Sequence, residues 1–177
     1  CAINSCVINS SARPTERNKA NMYQHVLLPT DGSELSERAA RDGVRFAKSF
    51  GAQLTALHTT PLFYPSELLA YRAPAHAGHE YAASAREHEE FWKEKAARAL
   101  EPIELMAREA GVVCSTVHRV SDSPWEVIIS VATERGCDVI FMASHGRRGV
   151  SALLIGSETN KVLTHTKIPV TVWRSGS

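Results

Sequence analysis

Three short segments of the chain carry side chains and backbone suited to holding an anion or a sugar. Pro29-Thr30-Asp31-Gly32-Ser33 follows one apolar run, His58-Thr59-Thr60 ends a second, and Ala143-Ser144-His145-Gly146-Arg147-Arg148-Gly149 follows a third. The last segment leads on to Gly156-Ser157-Glu158-Thr159, where a helical pattern begins. A helix start presents backbone N–H groups without helical partners and the positive end of the helix dipole, so it attracts phosphate. Glycines let the backbone approach an anion closely, and the hydroxyls of Ser157 and Thr159 are further donors. Arg147 and Arg148 can reach a phosphate or simply be solvated. Neither G-x-x-x-x-G-K-[ST] nor G-x-G-x-x-G occurs. Spacing alone therefore leaves two readings open, a phosphate cradle or a plain turn with cap residues.

The remaining candidates point to less. Ser144 and His145 pair a nucleophile with a base, but neighbours on an extended chain point apart, and no G-x-S-x-G elbow is present. Asp31 is the one carboxylate expected at the site. With no organised base and nucleophile, rapid catalysis is not expected and no catalytic residue is assigned. His76, His79 and His88, near Glu80, raise the question of a metal, yet none of their spacings matches a zinc motif. His58 reads as packed or hydrogen-bonded, and Glu87-His88-Glu89-Glu90 as a solvated helix face.

The elements that must position these segments are legible from periodicity. His25 to Pro29 is a buried strand, and Ser33 caps a helix with Glu34 and Glu37 in its first turn, closed by Gly51. Gln53 to Thr60 is the second strand, and Pro61 to Gly78 a loop. A long helical pattern runs from about His79 to Ala110, which Pro102 must kink or divide. Val112 to Val120 is a strand. Ser123-Pro124-Trp125-Glu126 is a helix start with an N-cap serine, proline at the first position and glutamate at the third. Asp138 to Ala143 is the fourth strand, Ser157 to about His165 a helix, and Ile168 to Trp173 the last strand. Alternating elements of this kind predict a three-layer α/β/α sandwich around a five-stranded parallel sheet. The order 3-2-1-4-5 brings the motif segments together beyond the carboxyl ends of strands one and four, where such sheets bind ligands.

At 177 residues the chain suits one domain, and its net charge of +1 provides no field for nucleic acid. No apolar run has the length to span a membrane. Cys1, Cys6, Cys114 and Cys137 show no C-x-x-C spacing, and the last two read as buried free thiols in a reducing cytoplasm. Residues 1–21 lack periodicity and a signal-peptide pattern; they read as a disordered tail or a remnant of expression, with the domain spanning 22–177.

The pairing of V-L-L-P-T-D-G-S with A-S-H-G-R-R-G-V-S-A-L-L-I-G-S resembles the universal stress protein family over Met22 to Arg174. In family members that bind ATP the loop reads glycine, two residues, glycine, nine residues, glycine, then serine or threonine. Gly146, Gly156 and Ser157 match that spacing, whereas Ala143 stands at the first glycine. If the backbone there needs a positive φ, alanine is disfavoured; if it is extended, the methyl only crowds the ligand. Weakened rather than abolished binding is the expectation.

The resemblance implies a Rossmann-like fold of the adenine nucleotide alpha hydrolase type. It implies ATP as ligand, with AMP or ADP as alternatives, and Mg accompanying the phosphates. Pro29 and the backbone of Thr59 would contact the adenine, and Asp31, beside Thr30, the ribose or the metal-phosphate region. Ala143 to Gly149 and Ser157 to Thr159 would wrap the ribose and phosphates. Thr59 stands where the family commonly has an aliphatic residue, a change that a backbone contact survives. The resemblance also implies a homodimer through the last strand and a stress-response role with slow ATP hydrolysis at most. A dimeric interaction module with a vestigial pocket is the alternative, favoured by Ala143.

Overall fold

The structure, a computed structural model, describes residues 21–62, 77–145 and 155–174, with the side chains of 77–85 outside the description. Nine elements alternate: β1 (His25–Thr30), α1 (Glu34–Phe50), β2 (Gln53–Thr60), α2 (Ala77–Ala110), β3 (Cys114–Val120), α3 (Pro124–Glu134), β4 (Val139–Ala143), α4 (Ser157–His165) and β5 (Val170–Trp173). The five strands form one parallel sheet in the order β3-β2-β1-β4-β5. Both the sandwich and its strand order are those expected from the sequence.

Alternation along the strands divides the core between the two faces. Val26, Leu28, Leu54 and Phe141 pack against α1 and α2, while Leu27, Leu57, Ile140 and Met142 pack against α3 and α4. Strands covered on both sides need apolar residues at every position, which is why β1 and β4 read as continuous apolar runs. The amino end of the sheet is closed by Asp138. Its carboxylate accepts from the backbone N–H of Gln24 at 2.8 Å and of His25 at 3.1 Å, and its own N–H donates to the His25 carbonyl at 3.0 Å. His25 is buried beside it, within 2.8 Å of Thr55 Oγ1, and desolvation holds its pKa below the usual histidine value. Cys137 is buried and Cys114 half-buried, both free; burial pushes their thiols up to about 12 and about 11.

Three local expectations change. Pro102 does not divide α2, which runs unbroken for 34 residues. A mid-helix proline removes one backbone bond, but Ala96, Leu100, Ile103 and Ala107 are buried on either side of it, and that packing outweighs the loss. Ser33 caps α1 as expected, accepting from Ser36 N–H at 3.2 Å. Ser123 makes no side-chain cap bond to α3; instead the Glu158 carboxylate, from α4, accepts from Trp125 N–H at 3.1 Å. The last two strands start later than the apolar pattern suggested, at Val139 and Val170, although the Pro169 carbonyl still accepts from Ile140 N–H at 2.9 Å.

Candidate functional site

The turn after β1 builds the first wall of a cavity at the carboxyl end of the sheet. Gly32 has φ 71°, a left-handed value that a side chain resists, so glycine allows the strand to turn directly into α1. Within that turn Asp31 Oδ1 accepts from Ser33 N–H at 3.0 Å and from Ser33 Oγ at 2.6 Å. Thr30 Oγ1 accepts from Gly32 N–H at 3.1 Å and lies 3.0 Å from Ser36 Oγ. Behind the turn, buried His58 places Nδ1 2.8 Å from the Thr30 carbonyl, so this nitrogen is the one that carries the proton.

The opposite wall comes from β4 and α4. Ser144 N–H donates to the Trp173 carbonyl at 2.8 Å, and Gly156 N–H donates to the Ser144 carbonyl at 2.8 Å. Gly156 has an ordinary φ of −62°, so its need for glycine is not conformational. A Cβ there would lie 3.1 Å from His145 Cα and 3.3 Å from the Ser144 carbonyl oxygen. Glycine brings the start of α4 against the end of β4. The N-cap residue, a glycine, has no side chain to cap that helix start. Thr159 is buried, and its hydroxyl donates to the Ala143 carbonyl at 3.1 Å. That proton is therefore committed to the scaffold and is no donor to an anion, contrary to the sequence reading.

Ser144 and His145 do not point apart as expected. Ser144 Oγ lies 3.0 Å from His145 Nδ1, because the chain leaves the extended conformation at the end of β4. Ser144 is nonetheless buried, beneath the cavity wall rather than on it, which removes it as a nucleophile.

The walls enclose a cavity of about 190 Å³. Pro29, Thr30 and Asp31 line it from the β1 end, Thr59 from β2, Ala143 and His145 from β4, and Glu158 and Thr159 from α4. Eight of the expected site residues thus converge on one crevice. Gly156 and Ser157 are not wall residues, and Gly146, Arg147, Arg148 and Gly149 lie outside the described residues. The sequence reading missed an apolar slot formed by Leu57, Pro124, Ile128 and Met142. Its signal was present: in a parallel sheet every helix starts at the carboxyl end of a strand, so the first turn of α3 had to stand near the crevice. His76 and the side chains of His79 and Glu80 lie outside the described residues. Among those that are described, no three His, Cys, Asp or Glu side chains converge as metal ligands, and no helix is long and apolar enough to cross a membrane.

Ala143 belongs to β4, paired with Trp173 of β5, and no non-glycine residue among those described has a positive φ. Its backbone is one that alanine adopts without strain, and the residue forms part of the cavity wall.

Comparison with known proteins agrees with this arrangement. The model of the universal stress protein family matches residues 22–174. Universal stress protein MJ0531 of Methanocaldococcus jannaschii is 30% identical over 156 residues, 88% of this chain and 85% of that protein. The solved structure of hypothetical protein MJ0577 superposes with a TM-score of 0.68 at 27% identity, covering 88% of this chain and 99% of that one. A universal stress protein solved in complex with cAMP shares the fold, with a TM-score of 0.56 and 20% identity over 87% of this chain and 98% of that one. The chain belongs to the universal stress protein family.

Proposed function

We propose that this protein binds an adenine nucleotide in the cavity between the β1 and β4 ends, as a cytoplasmic stress-response regulatory module. The observation that carries the proposal is the joining, across one crevice, of an apolar slot to a helix start whose N-cap is a glycine. The slot of Leu57, Ile128 and Met142 suits a flat base, and Asp31 stands where a ribose hydroxyl would donate. The start of α4, drawn in by Gly156, supplies backbone donors and a positive dipole end for phosphate. The cavity is smaller than drug-sized pockets, roughly 300–1,000 Å³, so it holds the base and sugar while phosphates extend to the mouth. A relative with this fold was solved with cAMP, an adenine nucleotide. ATP is the ligand we assign, AMP and ADP being its smaller relatives, with Asp31 the carboxylate that would face Mg on the phosphates. A bound Mg would neutralise phosphate charge. Among the described residues no base and nucleophile pair faces the cavity, and the proposal assigns at most slow turnover of ATP.

The test is to denature the purified protein and identify the released nucleotide, then titrate the stripped protein with ATP. Adenine nucleotide in the supernatant and saturable rebinding support the proposal; neither one appearing refutes it.

A second feature supports a homodimer through β5. The strand is at the sheet edge, all four of its residues are half-buried, and an apolar edge invites pairing. The surface on offer is narrower than the sequence suggested, because Trp173 is turned onto the protein's own α1, donating Nε1–H to Asp42 at 2.8 Å. Val172 then carries the contact. The solution mass of the wild type beside Val172→Lys is the measurement; a monomeric wild type at high concentration refutes the dimer.

A further inference from the structure

Glu158 occupies an unusual place for a residue in the first turn of a helix beside a proposed phosphate site. Its Oε2 accepts from the backbone N–H of Trp125, in the first turn of α3, at 3.1 Å. Its Oε1 pairs with Lys161 Nζ at 2.9 Å, and both side chains are substantially exposed, at 36% and 46%. The carboxylate therefore stands between two helix starts and also forms part of the cavity wall. The α3 start, left without a cap by Ser123, takes an internal anion in place of an external one. Asp31 is a second carboxylate lining the same cavity, on its opposite wall, and among the described residues no lysine or arginine lines it. His145 is the one described wall side chain able to become a cation.

A ligand in this cavity lies against two carboxylates as well as the α4 helix start. Exposure and the Lys161 pair screen the charge of Glu158 without removing it, because a paired surface carboxylate still contributes its field at short range. We propose that Glu158 is a specificity-determining residue that grades ligands by charge, disfavouring each added phosphate on the adenine nucleotide. The inference rests on the nucleotide reading above. It concerns which member of the adenosine, AMP, ADP and ATP series is preferred when no divalent cation neutralises the phosphates.

Glu158→Gln separates charge from shape, since the amide oxygen still accepts from Trp125 N–H. Affinities for adenosine, AMP and ATP are measured by titration calorimetry in metal-free buffer at low salt, for wild type, Glu158→Gln and Lys161→Gln. The expected pattern for Glu158→Gln is no change for adenosine, about twofold tighter AMP and about fivefold tighter ATP. Lys161→Gln, which unscreens the carboxylate, shifts ATP the opposite way. Raising the salt flattens both differences, which a purely structural role for Glu158 would not do. Parallel affinities across the series in all three proteins, with adenosine bound, overturn the charge-grading role and leave the nucleotide reading standing. Failure of every protein to bind any of the three ligands overturns both.

Discussion

At the amino end of the sheet Asp138, just before β4, takes the backbone N–H groups of Gln24 and His25, and the two strand ends are tied together. At the carboxyl end of the same strand Asp31 is also hydrogen-bonded, but by Ser33 within its own turn. One aspartate is spent on joining strands; the other is held ready by a local turn, and a cavity of about 190 Å³ remains beside it. The two ends use the same side chain and the same kind of donor. What differs is sequence distance, more than a hundred residues for Asp138 and two for Asp31. Long-range bonds at a strand end build stability, and short-range bonds leave room for a ligand.

That contrast is broken most directly by removing each aspartate. Asp138→Ala leaves two backbone donors without their charged acceptor and is expected to cost about 3 kcal/mol, lowering Tm by roughly 10 °C. Nucleotide affinity per folded molecule stays unchanged. Asp31→Asn keeps an acceptor for Ser33, so unfolding free energy moves by less than about 1 kcal/mol, while nucleotide affinity falls about tenfold. Chemical denaturation alongside ligand titration reads both. Equal loss of stability in the two variants would erase the distinction between the ends.

Gly156→Val attacks the open end through sterics. Its Cβ would press on the backbone of Ser144 and His145, and the α4 start must withdraw from β4. A stability cost of about 2 kcal/mol is expected for such overpacking, and the ligand contacts at the helix start go with it. The ligand titration should therefore show a loss larger than that of Asp31→Asn. Wild-type affinity in this variant would mean that the helix start is only a turn.

A pH titration sharpens the comparison from the closed end. Desolvation lowers the pKa of His25 in the fold, against the smaller opposing effects of a backbone hydrogen bond at Arg135 and the charge of Asp138. His118, within 2.8 Å of Thr60 Oγ1, is lowered in the same direction by burial and then by Lys93 and Arg119. The unfolded chain binds protons at these histidines at a higher pH than the folded chain does. Stability is therefore full above their ordinary value of 6.5 and declines as pH falls through it toward the lower folded values. Tm should be flat from pH 7 to 8 and drop progressively below about 6.5. A Tm that rises on acidification in that window contradicts the lowering of both histidines.

The same division explains what was legible in the sequence. The strands announce themselves because burial on both faces demands apolar runs, and their order follows from where the motifs must meet. Asp31, Ala143 and Glu158 are found at the cavity because strand ends and helix starts are local features. Apart from the local Ser144–His145 contact, the main errors involve contacts between distant segments. Ser123 loses its capping role because Glu158, on another helix, takes it. Thr159 loses its free donor to the Ala143 carbonyl, and Pro102 is tolerated because of what α2 packs against. Ile128 and Met142 belong to the core and reach the crevice only through the tertiary arrangement.

The smallest effect is expected at Ala143, where the sequence departs from the family's loop pattern. Two terms compete in Ala143→Gly. Removing the methyl group takes bulk from a residue of the cavity wall, which sterically favours binding. Glycine also loosens the last residue of β4, whose carbonyl holds Thr159 and hence the α4 start; such a loss of backbone restraint costs about 0.5–1 kcal/mol. The native φ there is not positive, so glycine relieves no strain. The terms oppose each other, and ATP affinity should hold or tighten by no more than about threefold. A calorimetric titration of the variant beside wild type decides the matter. A gain beyond tenfold would mean that the alanine methyl blocks the ligand, and would favour the vestigial pocket. A clear loss would mean that alanine stiffens the β4 end in support of α4, placing this residue with the strand-locking end of the molecule rather than with the open one.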